Sequence, residues 1–198
     1  NMEKENMEIK EAIKIYDNVL PLPTLGSLLK YINKVKFETA GLVGDENNPI
    51  VINEQIRKVF NHTLQLNGDS RTETHWFNLL YKLFTDNILR YCKELGLNPN
   101  HTIRKLHEIT VLKYEDSGHY DWHTDHDSNA PRTLSLIYLL NNDYEGGELM
   151  FKDIKTNEEI VIDKKPNRLI IWPSNFLYPH KVKPVTKGTR YSVVCWAL

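Results

Sequence analysis

The segment HYDWHTDHD, residues 119–127, contains residue types whose spacing could do chemistry. Its informative pair is His123 and Asp125, two positions apart. On an extended strand, side chains at i and i+2 point to the same side, so an imidazole and a carboxylate can hold one metal ion together. Taken alone, this pattern is more typical of a surface histidine that neighbours an acid.

A second histidine and an arginine follow at spacings that favour the metal interpretation. His180 lies 55 residues after Asp125, and Arg190 opens the last apolar run ten residues later. Two histidines and one carboxylate leave three positions of an octahedral ion open, as in non-haem Fe(II) oxygenases, whereas structural zinc is closed by four ligands. A guanidinium can hold the far carboxylate of a dicarboxylate through paired hydrogen bonds. The alternative for Arg190 is an ordinary surface ion pair.

The elements that must position these residues change character along the chain. From Leu106 onward, short runs rich in β-branched and aromatic residues alternate with turn signals, which is typical of strands. Before Leu106, apolar residues at helical spacing predict three helices. Many short strands after a set of helices indicate a sandwich or barrel with the helices packed on one side.

Each predicted helix has an end signal and an apolar face. Thr24 is expected to cap the first helix and Asn53 the second, and Gly96 ends the third. The apolar face of the first helix comprises Leu25, Leu28, Leu29, Ile32 and Val35, and that of the second comprises Ile56, Val59, Phe60 and Leu64. The apolar face of the third comprises Trp76, Leu80, Leu83, Phe84, Ile88, Tyr91 and Leu95. Between the first two helices, residues 38–49 are predicted to form a loop or hairpin that acts as a lid.

Composition and charge disfavour several classes of protein. The 198 residues include 25 Lys and Arg against 26 Asp and Glu, which disfavours a strongly basic nucleic-acid module. No stretch approaches the ~18 apolar residues that a membrane span needs. The N-terminus shows no signal peptide, and Cys92 and Cys195 do not suggest a disulfide framework. We therefore expect a cytoplasmic protein.

The second half of the chain resembles the 2-oxoglutarate- and Fe(II)-dependent dioxygenases of the prolyl 4-hydroxylase group, especially the bacterial and viral-type members. The matching run covers roughly residues 106–196. The residues that carry the resemblance are Tyr114, Gly118, His123, Asp125, the turn YEGGEL at 144–149, Trp172, Pro173, Ser174, His180, the run PVTKG at 184–188, Arg190 and Trp196. It implies an α+β single domain, residues 1–198. A double-stranded β-helix (jelly-roll) core at 106–198 would have the mainly helical residues 1–105 packed on one sheet.

The resemblance also implies two sets of site residues. The catalytic residues and iron ligands would be His123, Asp125 and His180. The residues expected to bind 2-oxoglutarate are Arg190 and the Tyr114 hydroxyl, at the distal carboxylate, and Leu149, at the methylenes. Core packing is the alternative role for Tyr114 and for Leu149.

Two further residues, Arg132 and Trp196, are expected to contact the substrate. The chain departs from the family pattern at the strand after the metal pair. Many prolyl hydroxylases have an inward tyrosine where this chain has Leu139, and Tyr138, one position away, points to the other face. Collagen-type members have lysine in place of Arg190, which argues against a plain collagen hydroxylase.

The resemblance implies an enzyme that hydroxylates an unactivated C–H bond, with a prolyl residue of a peptide or protein as the expected substrate. Fe(II), 2-oxoglutarate and O2 are the expected cofactor and co-substrates, succinate and CO2 are the co-products, and ascorbate is implied by the resemblance alone. Neither nucleic acid nor membrane is an expected partner, and the oligomeric state stays open.

Three other interpretations are kept. One is a free amino acid hydroxylase. Another is an AlkB-like nucleic-acid demethylase, disfavoured because Trp196 stands where such enzymes carry a second arginine. The third is a non-catalytic jelly-roll binding protein, disfavoured because all three metal-binding residues are present.

Overall fold

A computed structural model describes residues 8–43, 50–68, 70–129 and 131–198. Within them, helices lie in the first half and most strands in the second. The helices are α1 (Leu22–Ile32), α2 (Arg71–Glu94) and α3 (Pro99–Thr102), and a 3-10 turn spans Ile9–Ala12. The strands are β1 (Lys14–Asp17), β2 (Glu38–Thr39), β3 (Leu42–Val43), β4 (Ile50–Val51), β5 (Arg57–Lys58), β6 (Phe60–Thr63), β7 (Leu106–Tyr114), β8 (His119–His123), β9 (Leu134–Leu139), β10 (Glu145–Gly146), β11 (Leu149–Lys152), β12 (Glu159–Ile162), β13 (Arg168–Pro173), β14 (His180–Val182), β15 (Val185–Lys187) and β16 (Arg190–Ala197).

Helices α1 and α2 follow local signals, with one correction. The Ser70 hydroxyl accepts a hydrogen bond from the Glu73 N–H and caps α2, and Gly96, with φ of 67°, follows its end as predicted. The prediction that Thr24 caps α1 is wrong, because the helix already begins at Leu22. Pro23 fits the first turn, where a missing N–H costs no intrahelical bond. Val35 lies beyond the end of α1.

The prediction of a second helix after Asn53 is wrong. The Asn53 side chain accepts a hydrogen bond from the Gln55 N–H at 3.1 Å and forms a turn, after which β5 and β6 follow. Strand β6 adds to the sheet by pairing with β7. Val59 and Leu64 are both buried, but in the two different apolar cores of the molecule. A short apolar run fits a helix or a strand equally well, and pairing with a distant strand decided between them.

Two antiparallel sheets form the centre of the molecule. The larger sheet has seven strands in the order β1-β13-β9-β16-β7-β6-β2, and the smaller has five in the order β12-β11-β14-β8-β5. Two short pairs, β10 with β15 and β3 with β4, lie outside them. The crossovers between sequence-distant strands are those of a jelly roll.

The larger sheet buries both of its faces, because its strand residues alternate between two apolar cores. Val111, Tyr138 and Val193 belong to one core with the apolar faces of α1 and α2. Leu112, Ile137 and Val194 belong to the other, together with apolar residues of the smaller sheet. The predicted α+β jelly roll with helices packed on one sheet is therefore confirmed.

The segment 38–49, predicted to be a loop or hairpin, is described only in part. Its described residues include the short strands β2 and β3, and β3 pairs with β4 on the far side of the segment. Residues 44–49 lie outside the described residues. Elsewhere, Cys92 and Cys195 are both free and buried. Among the described helices, none has the length and apolar character needed to cross a membrane.

Candidate metal centre and adjoining cavities

The three predicted metal ligands meet at one end of the smaller sheet. His123 ends β8, His180 begins β14, and the two residues are directly paired across these strands. The Asp125 Oδ1 atom lies 3.5 Å from His123 Nε2 and 3.6 Å from His180 Nε2. Asp125 stands just past the end of β8 rather than on it, so the approach depends on a bend after the strand as well as on strand alternation. All three ligand atoms lie within 4.8 Å of one another, which fits a single metal ion.

Backbone carbonyl groups orient both imidazoles. His123 Nδ1 lies 2.8 Å from the Asp121 carbonyl oxygen, and His180 Nδ1 lies 3.1 Å from that of Tyr178. A carbonyl oxygen only accepts, so each Nδ1 donates and each Nε2 lone pair is left for a metal. Burial lowers the pKa of His180 to about 4, which keeps this imidazole neutral at pH 7.

Two hydrogen bonds orient the carboxylate of Asp125. The Ser135 hydroxyl donates to Oδ2 at 2.6 Å, and the Trp196 indole N–H donates to the same oxygen at 3.1 Å. Oδ1 therefore faces the two histidines. Burial alone would raise the pKa of Asp125, but the two imidazoles and the Ser135 hydroxyl together hold it below its usual range. Metal binding requires this carboxylate in its ionised form.

Arg190 is fully buried on β16, directly across from Tyr114 on β7. Its Nη1 donates to the Ser192 hydroxyl at 2.9 Å, and its guanidinium carbon lies 4.9 Å from the centre of the Tyr114 ring. Its Nε and Nη2 find no acceptor among the described residues. Because buried donors without acceptors are costly, the arrangement suits an anion that enters from outside the chain.

A narrow cavity extends from the metal-binding residues to Tyr114. Leu149 and Tyr114 both line it, whereas Arg190 stands behind the Tyr114 ring rather than at the cavity wall. Its other apolar walls include Leu112, Ile137, Val182 and Val194. Two of the three residues predicted to bind 2-oxoglutarate, Tyr114 and Leu149, thus line the same cavity as the metal-binding residues, and the third, Arg190, lies against Tyr114.

A second, outer cavity of about 350 Å³ adjoins the first. The two predicted substrate residues line it and contact each other: the Arg132 guanidinium carbon lies 3.8 Å from the Trp196 ring centre. Arg132 Nη1 also donates to the Asp125 carbonyl oxygen at 3.3 Å. Gly41 and Leu42, from the described part of segment 38–49, border this cavity.

Sequence reasoning missed three residues around the metal-binding group. The Tyr120 ring stacks on the His123 imidazole with 3.5 Å between centres, and the Arg57 guanidinium lies 4.6 Å from the Tyr120 ring. Ser135, which donates a hydrogen bond to Asp125, is recognisable in the sequence as a hydroxyl residue inside an apolar strand. Arg57 shows no such signal, because the apolar spacing of its segment predicts a helix.

Comparison with known proteins shows what this chain is similar to. The sequence model of the 2OG-Fe(II) oxygenase superfamily matches residues 109–198. A PKHD-type hydroxylase of Synechococcus sp. (strain CC9902) is 35% identical over 98 residues, which are 48% of this chain and 42% of the relative. A second PKHD-type hydroxylase, of Gloeothece citriformis, is 35% identical over 99 residues, 47% of this chain and 43% of the relative. The chain therefore spans less than half the length of these relatives.

Solved structures share the fold at lower sequence identity. A prolyl hydroxylase of Trichoplax adhaerens, solved with a peptide fragment of the hypoxia inducible factor oxygen degradation domain, superposes with a TM-score of 0.76 at 23% identity, covering 94% of this chain and 83% of that one. A Pseudomonas putida prolyl-4-hydroxylase gives a TM-score of 0.70 at 16% identity, covering 94% and 91%. Both agree with the jelly-roll architecture described above.

Proposed function

We propose that this chain, which is similar to the 2OG-Fe(II) oxygenase superfamily over residues 109–198, hydroxylates a prolyl residue of a peptide or protein, with 2-oxoglutarate and O2 as co-substrates and succinate and CO2 as co-products. The observation that carries the proposal is a buried guanidinium, two of whose nitrogens find no acceptor among the described residues, against Tyr114 in the wall of a cavity that also contains the His-Asp-His cluster. A structural metal site would need no such anion-binding group.

The donor set fits Fe(II), because two imidazole nitrogens and one carboxylate oxygen are the facial ligands of non-haem iron oxygenases. His123, Asp125 and His180 would hold the ion, which when bound supplies the oxidative chemistry that couples 2-oxoglutarate breakdown to hydroxylation. The side chains contribute orientation. The carbonyl groups behind the two imidazoles and the two donors behind the carboxylate keep the three ligand atoms converging.

The narrow cavity would orient 2-oxoglutarate. Arg190 would pair with the distal carboxylate, and the Tyr114 hydroxyl would add a donor there. Leu149 would pack on the methylene groups, since it lines the apolar wall of the same cavity. The apolar walls also exclude water from the reacting end, which strengthens each polar contact inside.

A peptide substrate is favoured by the outer cavity, which is open beside the metal-binding residues and bordered by Arg132 and Trp196. The Trichoplax neighbour is itself described in complex with a peptide fragment. Ascorbate belongs to the proposal as an auxiliary reductant, tested by comparing repeated turnover with and without it.

The test is an anaerobic titration with Fe(II) and 2-oxoglutarate, followed by the weak visible charge-transfer band of chelated iron. We expect a band in the unaltered protein, no band in His123→Ala, and a band in Arg190→Met that needs at least tenfold more 2-oxoglutarate, on the order of one lost charge-assisted pair. Arg104→Met, which removes an exposed arginine outside both cavities, is the matched control and should titrate normally.

Absence of the band from folded, unaltered protein would remove the oxygenase proposal. A band with unchanged 2-oxoglutarate demand in Arg190→Met would retain the metal site and reject the assigned role of Arg190. Succinate release stimulated by proline peptides, with a matching mass increase of one oxygen atom in the peptide, would then test the substrate class.

A further inference from the structure

One wall of the outer cavity carries a carboxylate that the proposed reaction does not use. Along the inner side of β7, Tyr114 and Leu112 line the narrow cavity, and Leu112, Thr110 and Glu108 line the outer one. Residues two apart on a strand share a face, so Tyr114, Leu112 and Thr110 form one series that runs from the narrow cavity to the outer cavity, where Glu108 follows them. Among the described residues that line the outer cavity, Glu108 is the only acidic one besides Asp125.

The backbone at Glu108 is distorted in a way that sets its position. Strand β16 pairs its Cys195 with Ile109 and its Trp196 with His107, so Glu108 is an extra residue that faces no partner across the ladder. Its φ is 55°, a left-handed conformation that non-glycine residues seldom adopt. Bulges of this kind redirect side chains beside functional sites.

The pairing also places Glu108 relative to the metal-binding residues. Trp196 pairs with His107, the residue before Glu108, and the Trp196 indole reaches Asp125. One strand spacing plus the length of an indole puts Glu108 roughly 10 Å from the triad. This span exceeds the separation of the amino group and ring carbons within a single proline, but a neighbouring residue of a bound peptide can bridge it.

The other side of the cavity is cationic. Arg57 and Arg132 line it, and the Nε of each is buried and finds no acceptor among the described residues. Peptide carbonyl groups would satisfy these donors. The Glu108 carboxylate lies 3.3 Å from His107 Nε2, but both side chains are more than 40% exposed, so a cation that enters the cavity can compete for the carboxylate.

We propose that the outer cavity selects a peptide with a lysine or arginine close in sequence to the hydroxylated residue, and that Glu108 binds its cationic side chain. This inference rests on the proposed function and refines its substrate class. The two arginines bind the carbonyl groups of the peptide on the metal side, and the carboxylate binds the cationic side chain at the outer end. A free amino acid also carries an ammonium group, but it is too short to reach Glu108 while its ring lies at the metal.

The test measures peptide binding to protein loaded anaerobically with Fe(II) and 2-oxoglutarate, by calorimetric titration. The probes are blocked heptapeptides of alanine with a central proline, in which each flanking position in turn is lysine, glutamate or norleucine, the last a neutral analogue of lysine. Free L-proline and L-lysine form a separate arm. At one or two positions we expect lysine to bind about fivefold to tenfold more tightly than norleucine.

Three variants identify the group responsible. Glu108→Gln should abolish the lysine preference, and Glu108→Lys should reverse it toward glutamate. Glu159→Gln removes an exposed carboxylate on β12, away from both cavities, and should keep the preference. Unaltered protein that binds lysine peptides no better than norleucine peptides, or a preference that survives in Glu108→Gln, would overturn the inference. So would a dependence on Glu108 confined to the free amino acids.

Failure of the proposed function shows at a different step. Without Fe(II) and 2-oxoglutarate binding, the charge-transfer band is missing before any peptide is added. Peptide preference is a separate signal, measured afterwards on the same sample. Melting temperatures of the Glu108 variants, compared with that of Glu159→Gln, separate lost recognition from lost folding.

Discussion

The two hydrogen bonds that the Asp125 carboxylate accepts lead to a specific prediction about metal affinity. Ser135 and Trp196 both donate to Oδ2, at 2.6 and 3.1 Å, and leave Oδ1 toward the histidines. Ser135→Ala removes the shorter bond without changing a metal ligand. Asp125 is almost completely buried, so water cannot readily replace the lost donor.

The size of the effect follows from these contacts. A hydrogen bond to a charged group contributes about 1.5–3 kcal/mol, and loss of an outer partner of a metal ligand costs about 10- to 100-fold in affinity. Ser135→Ala should therefore weaken Fe(II) binding by at least about tenfold. Trp196→Phe should have a smaller effect, because its bond is longer. The two changes should not be additive, since both donors bond the same oxygen.

The assay is anaerobic equilibrium dialysis of Fe(II), with thermal unfolding as the check on folding. The matched control is Tyr138→Phe, which removes a hydroxyl from the same strand β9 but on its helix-facing side, where the hydroxyl bonds Asn167 at 2.8 Å. It should leave Fe(II) affinity unchanged. A folded Ser135→Ala protein with unaltered affinity would refute the claim that these donors orient the carboxylate.

Three further changes test the rest of the structure. Hydrogen bonds from Arg168 lower the pKa of Asp17 to about 2. The ionised carboxylate therefore stabilises the fold fully above its unfolded-state pKa of about 3.9. This contribution is lost as the pH falls through about 2. Asp17→Asn should cost about 1 kcal/mol of unfolding free energy at pH 7, since the pair is partly exposed, and urea titrations should show the difference vanish below pH ~2. Phe84→Ala empties a fully buried position between α2 and the larger sheet and should cost about 3–5 kcal/mol in the same assay, without changing Fe(II) affinity in dialysis. Gly147→Ala should weaken 2-oxoglutarate binding about tenfold in the charge-transfer titration. An added Cβ would lie 3.1 Å from the Arg190 side chain, and the φ of 67° at this position disfavours any residue other than glycine. Unchanged binding would show that this turn does not support Arg190.

Much of the fold could be predicted because its signals are local. Helix α2 has a capping serine, a long apolar stripe and a terminating glycine, all within one stretch of chain. In the second half of the chain, turn-forming residues between the apolar runs mark where each strand ends. The helix prediction after Asn53 was wrong for the opposite reason. The apolar spacing there is ambiguous, and pairing of β6 with β7, some fifty residues away in the sequence, makes the segment a strand.

The site shows the same division. The spacing of His123 and Asp125, the distant His180 and the later Arg190 are visible in the sequence. The pairing of β8 with β14 brings the two histidines together, and the bend after β8 brings Asp125 to them. Residues on other strands also support the metal-binding side chains, as Ser135 on β9 supports Asp125. Their spacing in the sequence does not indicate which side chain they contact.

The sequence by itself determined the type of chemistry this protein can support, because ligand identity and side-chain alternation are properties of the chain. The tertiary structure alone decided the environment of that chemistry. It placed Arg57 against Tyr120, and it buried Arg190 so that two of its nitrogens find no acceptor in the described part of the chain. It also placed Glu108 in the wall of the outer cavity at a bulge. Each of these depends on how sequence-distant strands pair, and the free energy of such pairing is set by partners that a local pattern does not contain.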